Sequence, residues 1–318
     1  MSNHMNHILL IGCGTMGMEY AKVLKKRKQP FYSYTRSEKT AARFKEQTGY
    51  EAYTGDFESF LANHSQQKAI VAVPVHQLKD TAMLLLKSGV KELLLEKPGA
   101  SSLKELNEIS SAAAHFHARV YIGYNRRFYE SVQRLQSMVT EENPIRSIHF
   151  DFTELSKKIE GSDISEELKA IWLLANSSHV IDLAFFLAGR PKLIKGFVSG
   201  HIDWHPDGAI YTGAGETDQN ILFSYHANWM APGRWGIEVR TDESTYILQP
   251  LEKLYRMKHG TFLKEEVPIA HQYDETFKPG LYKQVESFLT DKSNLVSLEE
   301  QCRNVKEIYL YLMNGKSL

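Results

Sequence analysis

The stretch Gly12-Cys13-Gly14-Thr15-Met16-Gly17 follows the apolar run Ile8–Ile11 and leads into a helical pattern over Met16–Lys28. Three glycines at this spacing, between a first strand and a first helix, are typical of a dinucleotide-binding turn. The first permits the tight turn, the second lets the backbone approach a diphosphate, and the third lets the helix pack close to the strand. The alternative is a plain structural turn. We predict that all six residues of this turn bind a dinucleotide cofactor.

The rest of the first half alternates between strand-like and helix-like segments. Helical patterns such as Gln77–Lys87 and Leu103–Ala114 separate short apolar runs that favour strands. Strands that alternate with helices of about 10–15 residues indicate parallel βαβ units. We therefore predict an α/β protein in which residues 1–123 form a Rossmann domain with a doubly wound parallel sheet. Its later strands are predicted at Phe31–Tyr34, Lys68–Val73, Glu92–Leu95 and Arg119–Ile122.

The pattern changes after this half of the chain. The charged stretch Ser156–Leu168 predicts a solvated loop, and Ser178–Ala188 predicts an apolar helix. Strand-like runs then follow one another without intervening helices, which favours an antiparallel sheet. We predict that residues 124–318 form an α+β domain for substrate binding and oligomerisation, with a large, mostly antiparallel, open-faced sheet. Its other predicted helices are Tyr129–Val139, Tyr282–Leu289 and Leu298–Met313, and the last two are candidates to return to the first domain. Its predicted strands are Ser147–Glu154, Leu193–Gly200, Asn220–His226, Gly236–Thr241 and Thr245–Leu248.

Composition excludes several classes of protein. Lys plus Arg and Asp plus Glu each number 38, so the net charge is zero, which disfavours a nucleic-acid partner. No apolar run approaches the roughly 18 residues that a bilayer requires, which disfavours a membrane role. Met1–His7 has no signal-peptide pattern, and two cysteines cannot build a disulfide framework. We expect a cytoplasmic protein. No Cys or carboxylate partners accompany the histidines at metal-ligand spacing, so we expect no metal site.

The end of the second predicted strand bears on the choice of cofactor. NAD-binding sites usually place an acidic residue there, whereas this chain reads Tyr34-Thr35-Arg36-Ser37 with no carboxylate before Glu38. Arg36 can pair with a 2′-phosphate, and the hydroxyls of Thr35 and Ser37 can donate to it. The alternative is an exposed arginine in a solvated turn. We predict NADP as the preferred cofactor, with NAD as the alternative.

Three further motifs carry a family resemblance. Leu95-Glu96-Lys97-Pro98 ends a predicted strand, Gly123-Tyr124-Asn125-Arg126-Arg127-Phe128 follows the last strand of the first half, and Ser178-His179-Val180-Ile181-Asp182 begins a helix. In this order after the glycine turn, they resemble the glucose-fructose oxidoreductase/inositol dehydrogenase/MocA (Gfo/Idh/MocA) family of NAD(P)-dependent enzymes. The resemblance covers nearly the whole chain, and within the family it is greatest to enzymes of polysaccharide and nucleotide-sugar metabolism.

The resemblance implies roles for two catalytic residues. Lys97 matches the lysine that approaches the oxygen on the reacting carbon, where an ammonium stabilises alkoxide character. His179 matches the acid/base histidine, a residue type suited to proton transfer near neutral pH. Asp182, one helical turn later, is expected to orient the His179 ring. Pro98 is expected to make the turn after Lys97 rigid and is compatible with a cis bond.

The sequence departs from the family at one position near this histidine. Many inositol-dehydrogenase-like members have an aspartate four residues before the histidine, where this chain has Ala175. The inositol-type proton relay is therefore in doubt, although Lys97 and His179 are both present. Either Arg126 or Arg127 is a candidate to bind an anionic substituent of the substrate. The other is then expected to be a salt-bridge partner.

The remaining candidates follow from the family or from the aromatic content of the second half. Trp204, Trp229 and Trp235 stand among polar residues, a combination that stacks on sugar faces, although sheet-core aromatics are the alternative. The cofactor set is completed by Val73, Pro74, Glu96, Lys97 and Asn125. The substrate set comprises Lys97, Tyr124, Arg126, His179, Asp182, Trp229 and Tyr282.

These residues together predict an NAD(P)-dependent oxidoreductase. It would transfer a hydride between the nicotinamide and a secondary alcohol or ketone of a sugar or sugar derivative. The alternatives are an inositol or another non-sugar substrate, or a catalytically silent regulator that binds the cofactor. By resemblance, we expect a homodimer or homotetramer and a small carbohydrate-like substrate.

Overall fold

The structure is a computed structural model that describes residues 7–270 and 272–314. The N-terminal residues on which the signal-peptide expectation depends lie, apart from His7, outside the described residues. The strands are β1 (Ile8–Ile11), β2 (Phe31–Tyr34), β3 (Lys68–Val71), β4 (Glu92–Leu95), β5 (Arg119–Ile122), β6 (Ser147–Asp151), β7 (Pro191–Ser199), β8 (Ile210–Thr217), β9 (Leu222–Asn228), β10 (Gly236–Arg240), β11 (Ser244–Leu248), β12 (Tyr255–Lys258), β13 (Lys264–Glu266) and β14 (Val296–Ser297). The α-helices are α1 (Thr15–Lys26), α2 (Glu38–Thr48), α3 (Phe57–Asn63), α4 (Val75–Lys87), α5 (Leu103–His115), α6 (Glu130–Met138), α7 (Ser156–Glu160), α8 (Glu166–Ala170), α9 (Ser178–Ala188), α10 (Leu281–Leu289), α11 (Leu298–Asn304) and α12 (Leu310–Asn314).

The chain divides into two compact units, each built from separate parts of the sequence. Unit 1 comprises Met1–Tyr124 and Glu275–Arg303, and unit 2 comprises Asn125–Asp274 and Asn304–Leu318. The sequence predicts a boundary after residue 123, with the C-terminal helices as candidates to return to the first domain. In the structure β14 pairs with β5, and residues 275–303 belong to unit 1, whereas the chain from Asn304 onward belongs to unit 2.

Unit 1 is built around a six-stranded sheet among the described residues. The strand order is β14-β5-β4-β3-β1-β2, and all neighbours are parallel except β14 and β5. Strands β1 and β4 are buried along their whole length, as expected for a sheet covered on both faces. The order reverses between β1 and β3, which makes the carboxyl end of β1 the switch point at which such sheets bind ligands.

Unit 2 contains an eight-stranded sheet with the order β13-β12-β11-β10-β6-β9-β8-β7. Its pairs are antiparallel except β6 and β9, which run parallel. Helix α9 packs against β6 and β10, where Ile148, Phe150 and Val239 are buried. The two sheets confirm the predicted fold class of a Rossmann sheet followed by an α+β domain with a mostly antiparallel sheet.

One predicted loop is wrong, and one predicted helix contains a turn of a different helical type. The segment Ser156–Leu168 is not simply a solvated loop, because it contains α7 and the start of α8, with Ile159 and Lys169 buried in the same region. The helix predicted over Leu298–Met313 is interrupted by a π-helical turn at Val305–Tyr309. No described helix has the length and apolar character needed to cross a membrane.

Candidate functional site

The glycine turn has the geometry that its three glycines require. Gly12 has a φ of +98°, and a Cβ at this position would lie 2.5 Å from the carbonyl oxygen of Ala72. A Cβ on Gly17 would lie 1.9 Å from the carbonyl oxygen of Gly12, so only glycine lets α1 begin this close to β1. Gly14, by contrast, has no atom within 4 Å of its Cβ position. The open position is the one at which the motif brings a diphosphate to the backbone.

A cavity of about 440 Å³ opens beside this turn in unit 1. Of the sequence-predicted cofactor residues, Thr15, Met16 and Gly17 do not line it but form the first turn of α1. The cavity brings together residues that follow three different strands, as expected at the switch point of a parallel sheet. The predicted residues that line it are Gly12, Cys13, Gly14, Thr35, Arg36, Ser37, Val73 and Pro74.

The part of the cavity after β2 is rich in hydrogen-bond donors. Arg36 is exposed there, and the Ser37 hydroxyl oxygen accepts a hydrogen bond from the Thr40 backbone N–H, 3.3 Å away. Glu38 accepts a hydrogen bond from the hydroxyl of Thr54 and does not line the cavity. Open backbone at Gly14, a cavity and these donors fit a dinucleotide with a phosphorylated ribose.

The buried side chain of Cys13 has a structural role in the turn, and its thiol is not placed for chemistry. Its side chain is 1% exposed, and its sulfur donates to the carbonyl oxygen of Tyr34 at 3.6 Å. Burial raises the pKa of the Cys13 thiol to about 12, so the neutral form prevails at ordinary pH.

Lys97 lies in a tightly held turn after β4. The bond between Lys97 and Pro98 is cis, and the Gly99 N–H donates to the carbonyl oxygen of Glu96 at 3.0 Å. The side-chain amide of Gln301, from α11, donates to the carbonyl oxygen of Pro98 at 2.9 Å and to the Tyr124 hydroxyl at 3.1 Å. A residue near the end of the chain therefore fixes the turn that carries Lys97.

Glu96 anchors the same turn to helix α1. The Tyr20 hydroxyl donates to Glu96 Oε1 at 2.7 Å, and the side-chain amide of Gln284 lies 3.2 Å from the same hydroxyl. Burial raises the pKa of the Glu96 carboxyl, although Tyr20, Lys97 and Lys278 act in the opposite direction. The sequence gave no indication that Tyr20 is the partner of Glu96.

The two tyrosines predicted to meet the substrate have structural contacts in unit 1. Tyr124 is 1% exposed and its hydroxyl accepts from Gln301. The ring of Tyr282 lies 5.4 Å from the ring of Phe277, and the Arg27 guanidinium lies 5.3 Å from its centroid. Tyr124 is therefore a core residue, and its burial does not support direct substrate contact.

His179 belongs to unit 2 and follows a π-helical turn over Leu173–Ser177 that precedes α9. It is 5% exposed, and its ring lies 6.2 Å from the indole of Trp235. Single π-helical turns inside helices occur often at functional sites, because the extra residue re-aims the side chains around it.

The π-helical turn is organised by a buried carboxylate that the sequence analysis missed. Glu154 Oε1 accepts from the Ser177 hydroxyl at 2.7 Å and from the Asn176 amide at 3.1 Å. The Trp172 and Trp235 side chains act to lower the pKa of this carboxylate. Burial raises the pKa of Glu154 despite these donors. Glu154 ends an alternating strand pattern, and nothing in the sequence links it to partners more than 20 residues away.

Asp182 has a partner that the sequence did not predict. Its two carboxylate oxygens accept from the Arg127 guanidinium at 2.8 and 2.6 Å, and both side chains are almost fully buried. The carboxylate thus fixes Arg127, and the expected role of Asp182 in orienting His179 stays a prediction. Asn125 is buried beside this arginine in a 3-10 turn over Asn125–Phe128 and accepts from Arg126 at 3.3 Å.

Trp229, which the sequence offers as a substrate residue, has mainly core contacts. Its ring is 1% exposed and stacks on Trp204 at a centroid distance of 5.5 Å, and its N–H donates to the carbonyl oxygen of Phe152 at 3.1 Å. His205 and Tyr211 cover other sides of the ring. These aromatics form a core cluster, which is the alternative that the sequence left open.

Within residues 7–270 and 272–314, no group of three or more His, Cys, Asp or Glu side chains is arranged to hold a metal ion. The candidate residues lie in two separate places: the cavity and the Lys97 turn within unit 1, and the His179 region within unit 2.

Comparison with known proteins agrees with the unit 1 geometry. Residues 6–124 match the family model described as "Oxidoreductase family, NAD-binding Rossmann fold". This part of the chain is therefore similar to the Gfo/Idh/MocA family, as the sequence motifs predicted. The description of that family agrees with the predicted oxidoreductase over the matched residues. No curated protein sequence matches the chain.

Solved structures share the fold over nearly the whole length. A protein from Desulfitobacterium hafniense described as an NADPH-dependent oxidoreductase has a TM-score of 0.81 at 17% identity, covering 99% of this chain and 98% of its own. An oxidoreductase from Agrobacterium radiobacter in complex with NAD+, L-tartaric acid and magnesium has a TM-score of 0.77 at 14% identity, covering 99% and 98%. UDP-N-acetylglucosamine 3-dehydrogenase from Acidithiobacillus ferrooxidans has a TM-score of 0.73 at 15% identity, covering 97% of each chain.

Proposed function

We propose that this protein is an NAD(P)-dependent oxidoreductase that interconverts a secondary alcohol and a ketone on a sugar or sugar derivative. In this proposal unit 1 binds the dinucleotide and unit 2 binds the substrate. When bound, the nicotinamide supplies or accepts the hydride. The observation that carries the proposal is the glycine turn, where Gly12 and Gly17 admit no side chain and open backbone at Gly14 faces a cavity of about 440 Å³.

The proposed preference for NADP rests on the residues after β2. Arg36, Thr35 and Ser37 line the cavity at the position where NAD-specific sites usually carry an acidic residue. A guanidinium there can form two parallel hydrogen bonds to a phosphate. One structural neighbour is described as NADPH-dependent and another was solved with NAD+, so the neighbours support either cofactor.

Lys97 and His179 are the proposed catalytic residues. The Lys97 ammonium would donate to the oxygen on the reacting carbon and stabilise its negative charge during the reaction. His179 would take the proton from that hydroxyl in oxidation and return it in reduction. The Gln301 contacts support a fixed position for the turn that carries the lysine, and the π-helical turn supports one for the histidine.

The sugar-like substrate is supported by the neighbours and not by aromatic stacking. One neighbour is a UDP-N-acetylglucosamine 3-dehydrogenase, in keeping with the polysaccharide and nucleotide-sugar subgroup. A homodimer or homotetramer in the cytoplasm completes the proposal. Exposed apolar side chains on β7 and β9, the strands on either side of β8 in the unit 2 sheet, support self-association, namely Leu193, Phe197 and Leu222.

The test compares Lys97→Ala with the unchanged protein in a nicotinamide absorbance assay over a panel of sugars, sugar acids, nucleotide sugars and inositols. Loss of the ammonium should lower kcat by about 10²–10⁴-fold. Binding of NADPH, followed by its fluorescence, should be retained because the turn itself remains. Lys104→Ala, at an exposed position on α5, is the matched control and should keep full activity.

Two results would contradict this proposal. An unchanged kcat in Lys97→Ala would remove the lysine from the chemistry. Cofactor binding without turnover of any panel compound would favour the silent regulator, which Ala175 in place of the family's aspartate already suggests as the second candidate. Turnover restricted to inositols would instead favour the non-sugar alternative.

A further inference from the structure

Two adjacent arginines in unit 2 have different environments. Arg127 is 6% exposed, and its guanidinium is neutralised by the carboxylate of Asp182 through two hydrogen bonds. Arg126 is only half-buried, and no ion pair to a carboxylate is formed by it anywhere in the described parts of the chain. The sequence left open which of the two arginines is available to bind an anion. Because Arg127 already pairs with Asp182, Arg126 is the one that is available.

Arg126 is held by aromatic rings. Its guanidinium carbon lies 4.9 Å from the centroid of the Trp235 ring and 6.0 Å from that of Tyr129. Its Nη1 donates to the side-chain oxygen of Asn125 at 3.3 Å, and its Nε is buried without an acceptor among the described residues. Stacking on rings restrains the plane of a guanidinium without neutralising its charge.

Trp235 lies beside both Arg126 and His179. Its side chain acts to lower the pKa of Glu154, the carboxylate that accepts from Asn176 and Ser177. The His179 ring lies 6.2 Å from the same indole. One indole therefore lies next to an arginine that has no acidic partner among the described residues and next to the histidine proposed as acid/base.

We propose that Arg126 binds an oxyanion of the substrate, so that the substrate is a sugar derivative bearing a carboxylate or a phosphate. A preorganised planar guanidinium forms paired, charge-assisted hydrogen bonds to either group and loses little conformational freedom in doing so. The inference rests on the proposed function, because it specifies the class of substrate for the same site. It adds a specificity-determining residue that acts through charge.

The test measures binding and turnover with matched sugars in the presence of saturating NADP+. Each neutral sugar is paired with its acidic counterparts: glucose with glucuronate and glucose 6-phosphate, galactose with galacturonate and galactose 6-phosphate, and N-acetylglucosamine with its 6-phosphate. Dissociation constants come from calorimetry, and kcat and KM from nicotinamide absorbance. The proteins are the unchanged chain, Arg126→Gln, Arg126→Lys and the control Arg134→Gln, which alters an exposed arginine on α6.

The unchanged protein should bind at least one acidic sugar about 10-fold or more tightly than its neutral partner, as charge-assisted hydrogen bonds allow. Arg126→Gln should remove this preference through Kd and KM while the affinity for NADPH stays unchanged. Arg126→Lys, which keeps the charge without the planar fork, should bind the acidic sugars more tightly than Arg126→Gln does. The class of acidic sugar that binds more tightly than its neutral partner, carboxylate or phosphate, identifies the anion.

Three results would overturn the inference: no acidic preference in the unchanged protein, a preference that survives in Arg126→Gln, or a loss of NADPH affinity in that variant, which would assign Arg126 to the cofactor. Failure of the proposed function has a different signature. Binding of an acidic sugar that depends on Arg126, with no nicotinamide reduction by any compound, would leave the anion site intact and overturn the oxidoreductase.

Discussion

Arg36 is the residue on which the proposed preference for NADP over NAD depends, since the two cofactors differ by one phosphate. It is exposed, it lines the unit 1 cavity, and the nearest acidic residue along the chain, Glu38, accepts from Thr54. A 2′-phosphate would meet a guanidinium and two hydroxyls, whereas a 2′-hydroxyl would find no carboxylate from this loop to accept its proton.

Arg36→Gln should therefore weaken binding of NADPH by about 10–100-fold, the range for loss of charge-assisted hydrogen bonds, and leave binding of NADH unchanged. Fluorescence titration of each reduced cofactor measures the effect. Arg43→Gln removes an equally exposed charge from α2 and serves as the control. Equal weakening of both cofactors would argue against contact with the 2′-phosphate.

Single residues could be predicted from the sequence where their role depends on local geometry. Gly12 and Gly17 are examples, because a tight turn and a close helix start exclude every other side chain. The core contacts of Trp229 could not be predicted, since the sequence cannot show that Trp204 stacks against it. The pairing of Arg127 with Asp182 joins residues 55 positions apart, so the sequence could not show which arginine was left for a ligand.

The π-helical turn before α9 precedes His179, the proposed acid/base, and is held by a buried carboxylate. Its side chains at Asn176 and Ser177 bind Glu154, which is 7% exposed and has a raised pKa because burial disfavours its charged form. The folded protein therefore holds a proton on Glu154 more tightly than the unfolded chain does. This contribution to stability is present at low pH and is lost as pH rises from about 4.5 through the raised pKa.

Glu154→Gln should remove that pH dependence. Urea unfolding of both proteins between pH 4.5 and pH 8 should show the unchanged protein losing stability relative to Glu154→Gln as pH rises. Glu141→Gln, which alters an exposed glutamate of the same unit, should follow the unchanged protein at every pH. A difference between the unchanged protein and Glu154→Gln that stays constant with pH would show that Glu154 does not titrate differently on folding.

A strand or helix could be predicted from the sequence where the spacing of its apolar residues matches the face that is buried. The buried runs of β1 and β4 and the apolar helix α9 were predicted because their partners cover them completely. The strand β14 was not predicted, since two residues carry no period and its place depends on pairing with β5. Charged α7 and α8 were read as loop because their few apolar side chains give no recognisable face.

At the scale of the whole molecule, unit 1 depends on both ends of the chain. Residues 275–303 supply β14, α10 and the Gln301 side chain that holds the Lys97 turn. Helix α10 packs against α1, where Arg27 and Glu286 form an ion pair at 2.8 Å. Phe288 of α10 is fully buried, and its ring lies 6.4 Å from that of Tyr121 in β5.

Phe288→Ala should destabilise unit 1 by about 3–5 kcal/mol, because a buried aromatic ring leaves a cavity that its neighbours cannot fill completely. Thermal unfolding with and without NADPH identifies the transition of unit 1 as the one that the cofactor raises, and this transition should shift down. Phe262→Ala, at a side chain that is 98% exposed, should change stability by no more than about 0.5 kcal/mol. A shift confined to a cofactor-insensitive transition would contradict the assignment.

The return of residues 275–303 to unit 1 also sets the timing of folding on the ribosome. The first five strands of the Rossmann sheet are synthesised before any of unit 2, yet the strand that completes the sheet, β14, begins only at Val296. At translation rates of about 5–20 residues per second, β5 waits roughly 10–35 s for its antiparallel neighbour. During that interval the β5 edge of the nascent sheet has no partner strand and is open to pairing with other chains.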